Sequence, residues 1–186
     1  ACCTLALEGL HALHVAHRDV KPENVCIDAA GYAVLVDLGF ARQVDEGRAM
    51  TLLGTPEMLA PEVFLAEGHG VAVDLWALGV TLYELLLDTC PFFGETPTEL
   101  YQSVLAGSPV FPPSQWIFPD AAKQLVSAML TREPNARPTP SNILRHAFFA
   151  AGAFPGPNAE AQESPHISRH RCISPLSLHQ LRSKAR

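Results

Sequence analysis

Residues 17–40 read HRDVKPENVCIDAAGYAVLVDLGF. They hold two carboxylates, a lysine and an amide in a fixed order: Asp19, Lys21, Asn24 and, beyond a predicted hairpin, Asp37. This set suits phosphoryl transfer from a nucleotide held by magnesium. A base must meet the acceptor hydroxyl, a cation must steady the moving phosphoryl group, and hard oxygen ligands must grip the metal. Taken singly, Asn24 and Asp37 read as turn residues beside strands, since both types favour turns. With His17, Arg18 and Asp19 just upstream, the chemical reading prevails.

The elements that must position these residues are legible around them. Residues 25–28 and 33–37 are β-branched runs on either side of Ala29-Ala30-Gly31, which predicts a hairpin. It would bring Asn24 and Asp37 close together. Upstream, Cys2, Leu5, Ala6, Gly9, Leu10 and Leu13 fall at helical spacing and predict an amphipathic helix over residues 1–16. His11, His14 and His17 recur every three residues, but no Cys or carboxylate completes a ligand set, so they read as ordinary helix and loop histidines. Downstream, residues 71–87 are apolar nearly all round, which predicts a buried helix around Trp76. Asp74 lies inside that run. A buried carboxylate needs hydrogen-bond partners, and the backbone N–H groups of the His17–Asp19 loop are the expected ones. Thr96-Pro97-Thr98-Glu99 is a capping box opening a helix to about residue 106. Asp120 is placed to cap a helix to about residue 131, and Thr139-Pro140 opens a last one to about residue 149. Residues 111–118 form a Pro-rich aromatic loop. Beyond residue 150 the chain turns Gly/Pro/Ser/Arg-rich without apolar period and reads as a disordered tail.

Composition narrows the function classes. The 186 residues are 48% hydrophobic and 17% charged, enough for one sizeable core. The net charge of −6 is uneven. Residues 1–149 carry 8 Lys/Arg against 17 Asp/Glu, while residues 150–186 carry 5 against 2. An acidic body argues against a nucleic-acid partner and fits basic peptides. Five scattered cysteines without a CxxC pair read as free thiols in a reducing compartment. No continuously apolar run approaches the roughly 18 residues of a membrane span, and no secretory signal is visible. A cytoplasmic or nuclear protein is expected. The chain opens inside an apolar run without Met and reads as a piece of a longer protein.

HRDVKPEN, D-L-G, GTPEMLAPE and DLWALG, followed by REPNARPT, resemble in order and spacing the eukaryotic serine/threonine protein kinase catalytic domain. GYAVLVDLGFA and TLLGTPE look like the AGC, cyclic-nucleotide-dependent branch, while ARPTPSNILRHAFF looks more like the calmodulin-dependent and general type. The resemblance covers residues 1–149 and implies the large C-terminal lobe: mainly α with a small β-hairpin, an α+β fold whose N-lobe is missing from this sequence. ATP and Mg²⁺ are the implied cofactors. Asp19 resembles the catalytic base, Lys21 the phosphate-contacting lysine, and Asn24 and Asp37 the magnesium ligands. Thr55 resembles the threonine that bonds the base and Lys21. Cys26 stands at the apolar floor under adenine. Arg18 resembles the arginine that meets an activation-loop phosphate, here implied on Thr51 by an upstream kinase. Glu62 and Arg137 are the implied buried ion pair. Glu23, Glu57 and Glu84 match acidic positions that grip an arginine before the target residue. His17, Leu38, Asp74 and Trp76 take structural roles.

The sequence also departs from the family pattern. It contains no G-x-G-x-x-G loop and no V-A-I-K strand lysine, so the piece alone is expected to be inactive. Leu38 stands where D-F-G has phenylalanine, and Met58 where GTPEY has tyrosine. The alternative is a kinase-like scaffold or pseudokinase binding module. Retention of Asp19, Lys21, Asn24 and Asp37 together favours the enzyme. In the tail, Ser174 follows an R-x-R pattern that such a site could accept as an autophosphorylation or autoinhibitory segment, but a chance basic, Ser-rich tail is the favoured reading.

Overall fold

The apolar run around Trp76 forms the longest helix, and the other elements pack onto it. In the computed structural model, residues 1–44, 54–111 and 119–149 are described. In chain order they form α1 (Cys2–His11), β1 (Val15–Ala16), β2 (Val25–Ile27), β3 (Ala33–Leu35), β4 (Arg42–Gln43), α2 (Pro61–Phe64), α3 (Ala72–Leu87), α4 (Pro97–Ala106), α5 (Asp120–Met129) and α6 (Pro140–Leu144). Among the described residues the molecule is thus helix-rich, with two small antiparallel sheets.

Two apolar clusters meet on α3. One gathers Leu7, Leu10, Val20, Leu35, Leu38, Trp76 and Val80, the other Leu75, Leu125, Met129 and Ile143. Leu78 and Leu82 pack against both, so a helix apolar all round is what the position demands. Trp76 stacks on Phe92 at 5.3 Å between ring centroids.

In the hairpin, Val25 lies opposite Leu35 and Ile27 opposite Ala33. Its turn is built by Asp28, whose Oδ1 accepts the N–H groups of Ala30 and Tyr32, and by Gly31 at φ 85°, a conformation that costs glycine little. The strands are shorter than the β-branched runs because Asp28 is drawn into the turn and Asp37 leaves at φ 59°. The second sheet pairs Val15 with Gln43 and Ala16 with Arg42. It ties the chain entering the His17–Asp19 loop to the chain leaving Asp37.

Several expected boundaries need correction. The first helix ends at His11 rather than near residue 16. His14 takes φ 55°, and Val15 and Ala16 enter β1, which redirects the backbone towards α3. Asp120 does not cap α5. Pro119 occupies the cap position, α5 stops at Met129, and the Asp120 carboxylate lies 3.8 Å from Lys123 Nζ. The last helix stops at Leu144, and Ala147–Phe149 forms a separate 3₁₀ turn. There His146 Nδ1 accepts the Phe148 N–H, a local bond that competes with continued helix. The capping box forms as read: Thr96 Oγ1 accepts the Glu99 N–H while Glu99 Oε2 accepts the Thr96 N–H. Thr51, most of the 111–118 loop and the 150–186 tail with Ser174 lie outside the described residues.

Candidate active site

The site begins with Asp74, fully buried in the first turn of α3. Its Oδ2 accepts the His17 N–H and its Oδ1 the Arg18 N–H, each at 2.8 Å, and Oδ2 also lies 2.8 Å from His11 Nε2. Two successive amides drawn to one carboxylate hold the loop in a tight bend. Arg18 consequently sits at φ 67°, in the left-handed region that side chains rarely adopt. The His17 ring locks the loop from below. It lies 3.1 Å from the Val36 carbonyl through Nε2, and its Nδ1 accepts the Asp19 N–H. These bonds require the proton on Nε2.

The bend delivers Asp19 with only 4% of its surface exposed. Asn24 Nδ2 donates to the Asp19 carbonyl at 2.7 Å and to its Oδ2 at 2.8 Å. Lys21 Nζ lies 3.0 Å from the same Oδ2 and donates to Thr55 Oγ1 at 3.1 Å. One ammonium therefore bridges Asp19 to the segment that carries Thr55. No described residue bonds Asp19 Oδ1.

Asp37 stands across the hairpin. The Val36 N–H donates to the Asn24 carbonyl at 2.9 Å, which places Asp37 one residue beyond that link. Its exposed side chain accepts the Gly39 N–H at 2.9 Å through Oδ1. A Cβ on residue 39 would stand 2.9 Å from that oxygen, so glycine leaves the carboxylate its place. Asn24 uses its amide hydrogens on Asp19, which leaves its carbonyl oxygen as the atom that could face a cation. A carbonyl and a carboxylate suit a hard cation that keeps waters and phosphate oxygens as its other ligands. Among the described residues no group of three or more His, Cys, Asp or Glu side chains could hold an ion, so a full protein cage is not what they offer. Cys26 is an exposed free thiol on β2. Leu38 is buried in the core below.

Arg18 turns its Nε to the Phe40 carbonyl at 2.8 Å. Burial first, and then Arg42, pull its guanidinium down from its ordinary value, while Asp74 opposes them. Sequence reading passed over Arg42. The signal was a two-residue strand pairing with β1, too short to predict. It also treated His11 as an ordinary helix residue, although it bonds Asp74.

Farther along, Arg137 holds Glu62 through two bonds of 2.6 and 2.7 Å, both side chains buried. It also donates to the carbonyls of Thr131, Ala72 and Arg132, and its guanidinium lies 5.1 Å from the Trp76 ring. Glu84 sits half-buried near the C-terminal end of α3. Burial, followed by Glu23, Asp88 and Glu57, raises its carboxyl above the ordinary range. Its Oε2 is buried with no partner among the described residues. A separate, nearly apolar cavity of about 410 Å³ lies between α1, the hairpin, α3 and α5, and none of the catalytic candidates lines it.

The described residues thus form a helix-rich domain that gathers the Asp19 carboxylate, the Lys21 ammonium, the Asn24 amide and the Asp37 carboxylate on adjoining loops. The family model described as the protein kinase domain matches residues 1–149, and the chain belongs to that family. It is 44% identical over 133 residues to a cAMP-dependent protein kinase catalytic subunit of Dictyostelium discoideum, covering 72% of this chain and 20% of that protein. Against a cGMP-dependent protein kinase of Eimeria tenella it is 40% identical over 157 residues, covering 81% and 15%. Against a cAMP-dependent protein kinase catalytic subunit of Homo sapiens it is 42% identical over 146 residues, covering 77% and 40%. These relatives agree with the AGC branch. The chain spans between 15% and 40% of the length of the three.

Proposed function

We propose that the protein transfers the γ-phosphoryl group of ATP to serine or threonine hydroxyls of protein substrates. The observation that carries this reading is the arrangement around Asp19. Its Oδ2 is occupied by Asn24 and Lys21, so Oδ1 is the oxygen left to accept a hydroxyl proton. Lys21, between Asp19 and Thr55, fixes the activation segment beside the base and presents positive charge to the moving phosphoryl group. Asn24 and Asp37 would hold Mg²⁺, which, when bound, neutralises charge developing on the phosphate oxygens. Cys26 forms part of the floor under the adenine.

Arg18 receives a phosphate carried by Thr51 after an upstream kinase has acted. Residues 1–149 form the C-lobe. The Gly-rich loop and strand lysine that cover the nucleotide must come from outside these 186 residues, so the piece alone is inactive. Substrates carry basic residues before the target. Glu84, with an unpartnered buried oxygen and with Glu23 and Glu57 in electrostatic reach, supports an arginine subsite. The protein works in the cytoplasm or nucleus. The scattered cysteines, free among the described residues, support a reducing compartment.

The test is kinetic. In the complete protein, Asp19→Asn lowers kcat on a serine peptide by about 10²- to 10⁴-fold while KM for ATP changes little. An Asp19→Asn protein with wild-type kcat would overturn the proposal.

A further inference from the structure

His69 lies in the connection between α2 and α3, just after Gly68 at φ 75°, and is only 5% exposed. It lines a cavity of about 20 Å³ together with Arg18, Asp19 and Thr55, between the loop that carries the candidate base and the start of α3. That space holds one water at most. Among the described residues, the charged groups that act on the ring come from four elements: Arg18 on the loop, Arg42 on β4, Glu62 on α2 and Asp74 on α3. Asp19 shares the cavity wall. The two carboxylates that would welcome a charged ring are already engaged. Glu62 is held by Arg137, and Asp74 by two backbone amides and His11.

We propose that His69 is a proton-operated switch on the loop that carries Arg18 and Asp19. Protonation adds a cation to a cavity wall that already carries Arg18, with Arg42 in electrostatic reach, in a space too small to hydrate it. The α2–α3 connection must then shift, and with it the wall against which Arg18 and Asp19 rest. Burial, followed by Arg18, pushes the imidazole below its ordinary value, in keeping with a ring that stays neutral while the loop is in place. The sign follows from linkage. Below pH 6.5 the unfolded or displaced state protonates first, so the closed arrangement weakens as pH falls, by up to about tenfold per pH unit. Only the consequence for phosphoryl transfer rests on the proposed activity; the coupling of His69 to the loop does not.

The experiment is an NMR titration of the full chain from pH 8 to pH 5, following the His69 ring and the Arg18 Nε–H. The His69 ring is expected to titrate below 6.5, and the Arg18 Nε–H to inflect at the same midpoint. In His69→Asn the Arg18 inflection should vanish. A His69 midpoint at or above 6.5, an Arg18 signal that does not follow the ring, or an inflection that persists in the variant each overturns the proposal. If the variant does not fold, the matched midpoints in the wild-type chain decide alone. Because neither signal requires catalysis, loss of the kinase reading and loss of this one are told apart.

Discussion

Asp74 touches neither nucleotide nor substrate in the reading above, yet it sets the position of the residues that would. Its carboxylate accepts the His17 and Arg18 amides and so holds Arg18 at φ 67°. A residue in that region costs about 1–3 kcal/mol, which the surrounding bonds must offset. Asp74→Asn turns an N–H donor towards one of those amides and leaves it buried without an acceptor. A loss of about 1–3 kcal/mol or more in urea unfolding is expected, with the His17 and Arg18 amide signals moving first. Unchanged stability would mean that the loop bends without help from α3. Glu84 makes a different prediction. Its carboxyl is raised by burial and by Glu23, Asp88 and Glu57, so it protonates at a pH above the ordinary glutamate range. An arginine side chain favours the ionised form. Affinity for an arginine-bearing substrate peptide therefore holds at neutral pH and falls as acid protonates Glu84, more steeply than for the glutamine analogue. Fluorescence anisotropy across pH reads this, and Glu84→Gln should flatten the difference. If the two peptides keep the same pH profile in the wild type, Glu84 does not recognise arginine.

At the scale of elements, two contacts determine how the helices lock. Glu62 and Arg137 join α2 to the segment after α5 through a buried bidentate pair. Removing one partner leaves the other charge buried, so Glu62→Gln should cost about 3–5 kcal/mol. Arg137→Ala should cost more, because three carbonyls lose their donor as well. A double-mutant cycle in chemical denaturation with near-zero coupling would refute the pairing as a stabilising unit. Gly79 governs the other contact. A Cβ there would lie 2.9 Å from Met129 Cβ and 3.0 Å from Leu130 Cδ2, so α3 and α5 approach closely only because residue 79 has none. Gly79→Ala gains helix propensity but should still lower stability, by about 1–3 kcal/mol of overpacking, visible as a lower melting temperature. A rise in melting temperature would show that α5 yields without strain. What the sequence made legible follows the same physics. The apolar run of α3, the hairpin and the capping box are local patterns, and they can be read from residue spacing. The β1–β4 ladder cannot, because two residues per strand leave no period. The short reach of α6 could not be read either, since beyond it the His146 ring accepts the Phe148 N–H in place of continued helix. In the site, residue order singled out Asp19 and Lys21, while Thr55 came only with the family resemblance. Spacing gave no hint that His11 reaches Asp74 or that Arg42 acts on Arg18.

For the molecule as a whole, the question is how much of a nucleotide site these residues can make. In the proposed site Asn24 and Asp37 would offer one oxygen each to a cation that demands octahedral coordination, so waters and phosphate oxygens would have to complete the shell. Lys21 is already shared between Asp19 and Thr55. No Gly-rich loop in the sequence covers the phosphates with backbone amides, and Cys26, at the implied adenine floor, is exposed on β2. ATP would thus be contacted from one side only, with most of its surface and charge still in water. The electrostatic terms that accelerate phosphoryl transfer act strongly only where water is excluded. The 186-residue chain is therefore expected to bind Mg²⁺·ATP too weakly to saturate in calorimetric titration. Its ATP turnover should match that of its own Asp19→Asn variant. The complete protein should show both saturable binding and turnover that the same substitution abolishes. Turnover by the isolated chain clearly above its Asp19→Asn control would refute this division, and would mean that the C-lobe loops organise the nucleotide without a lid.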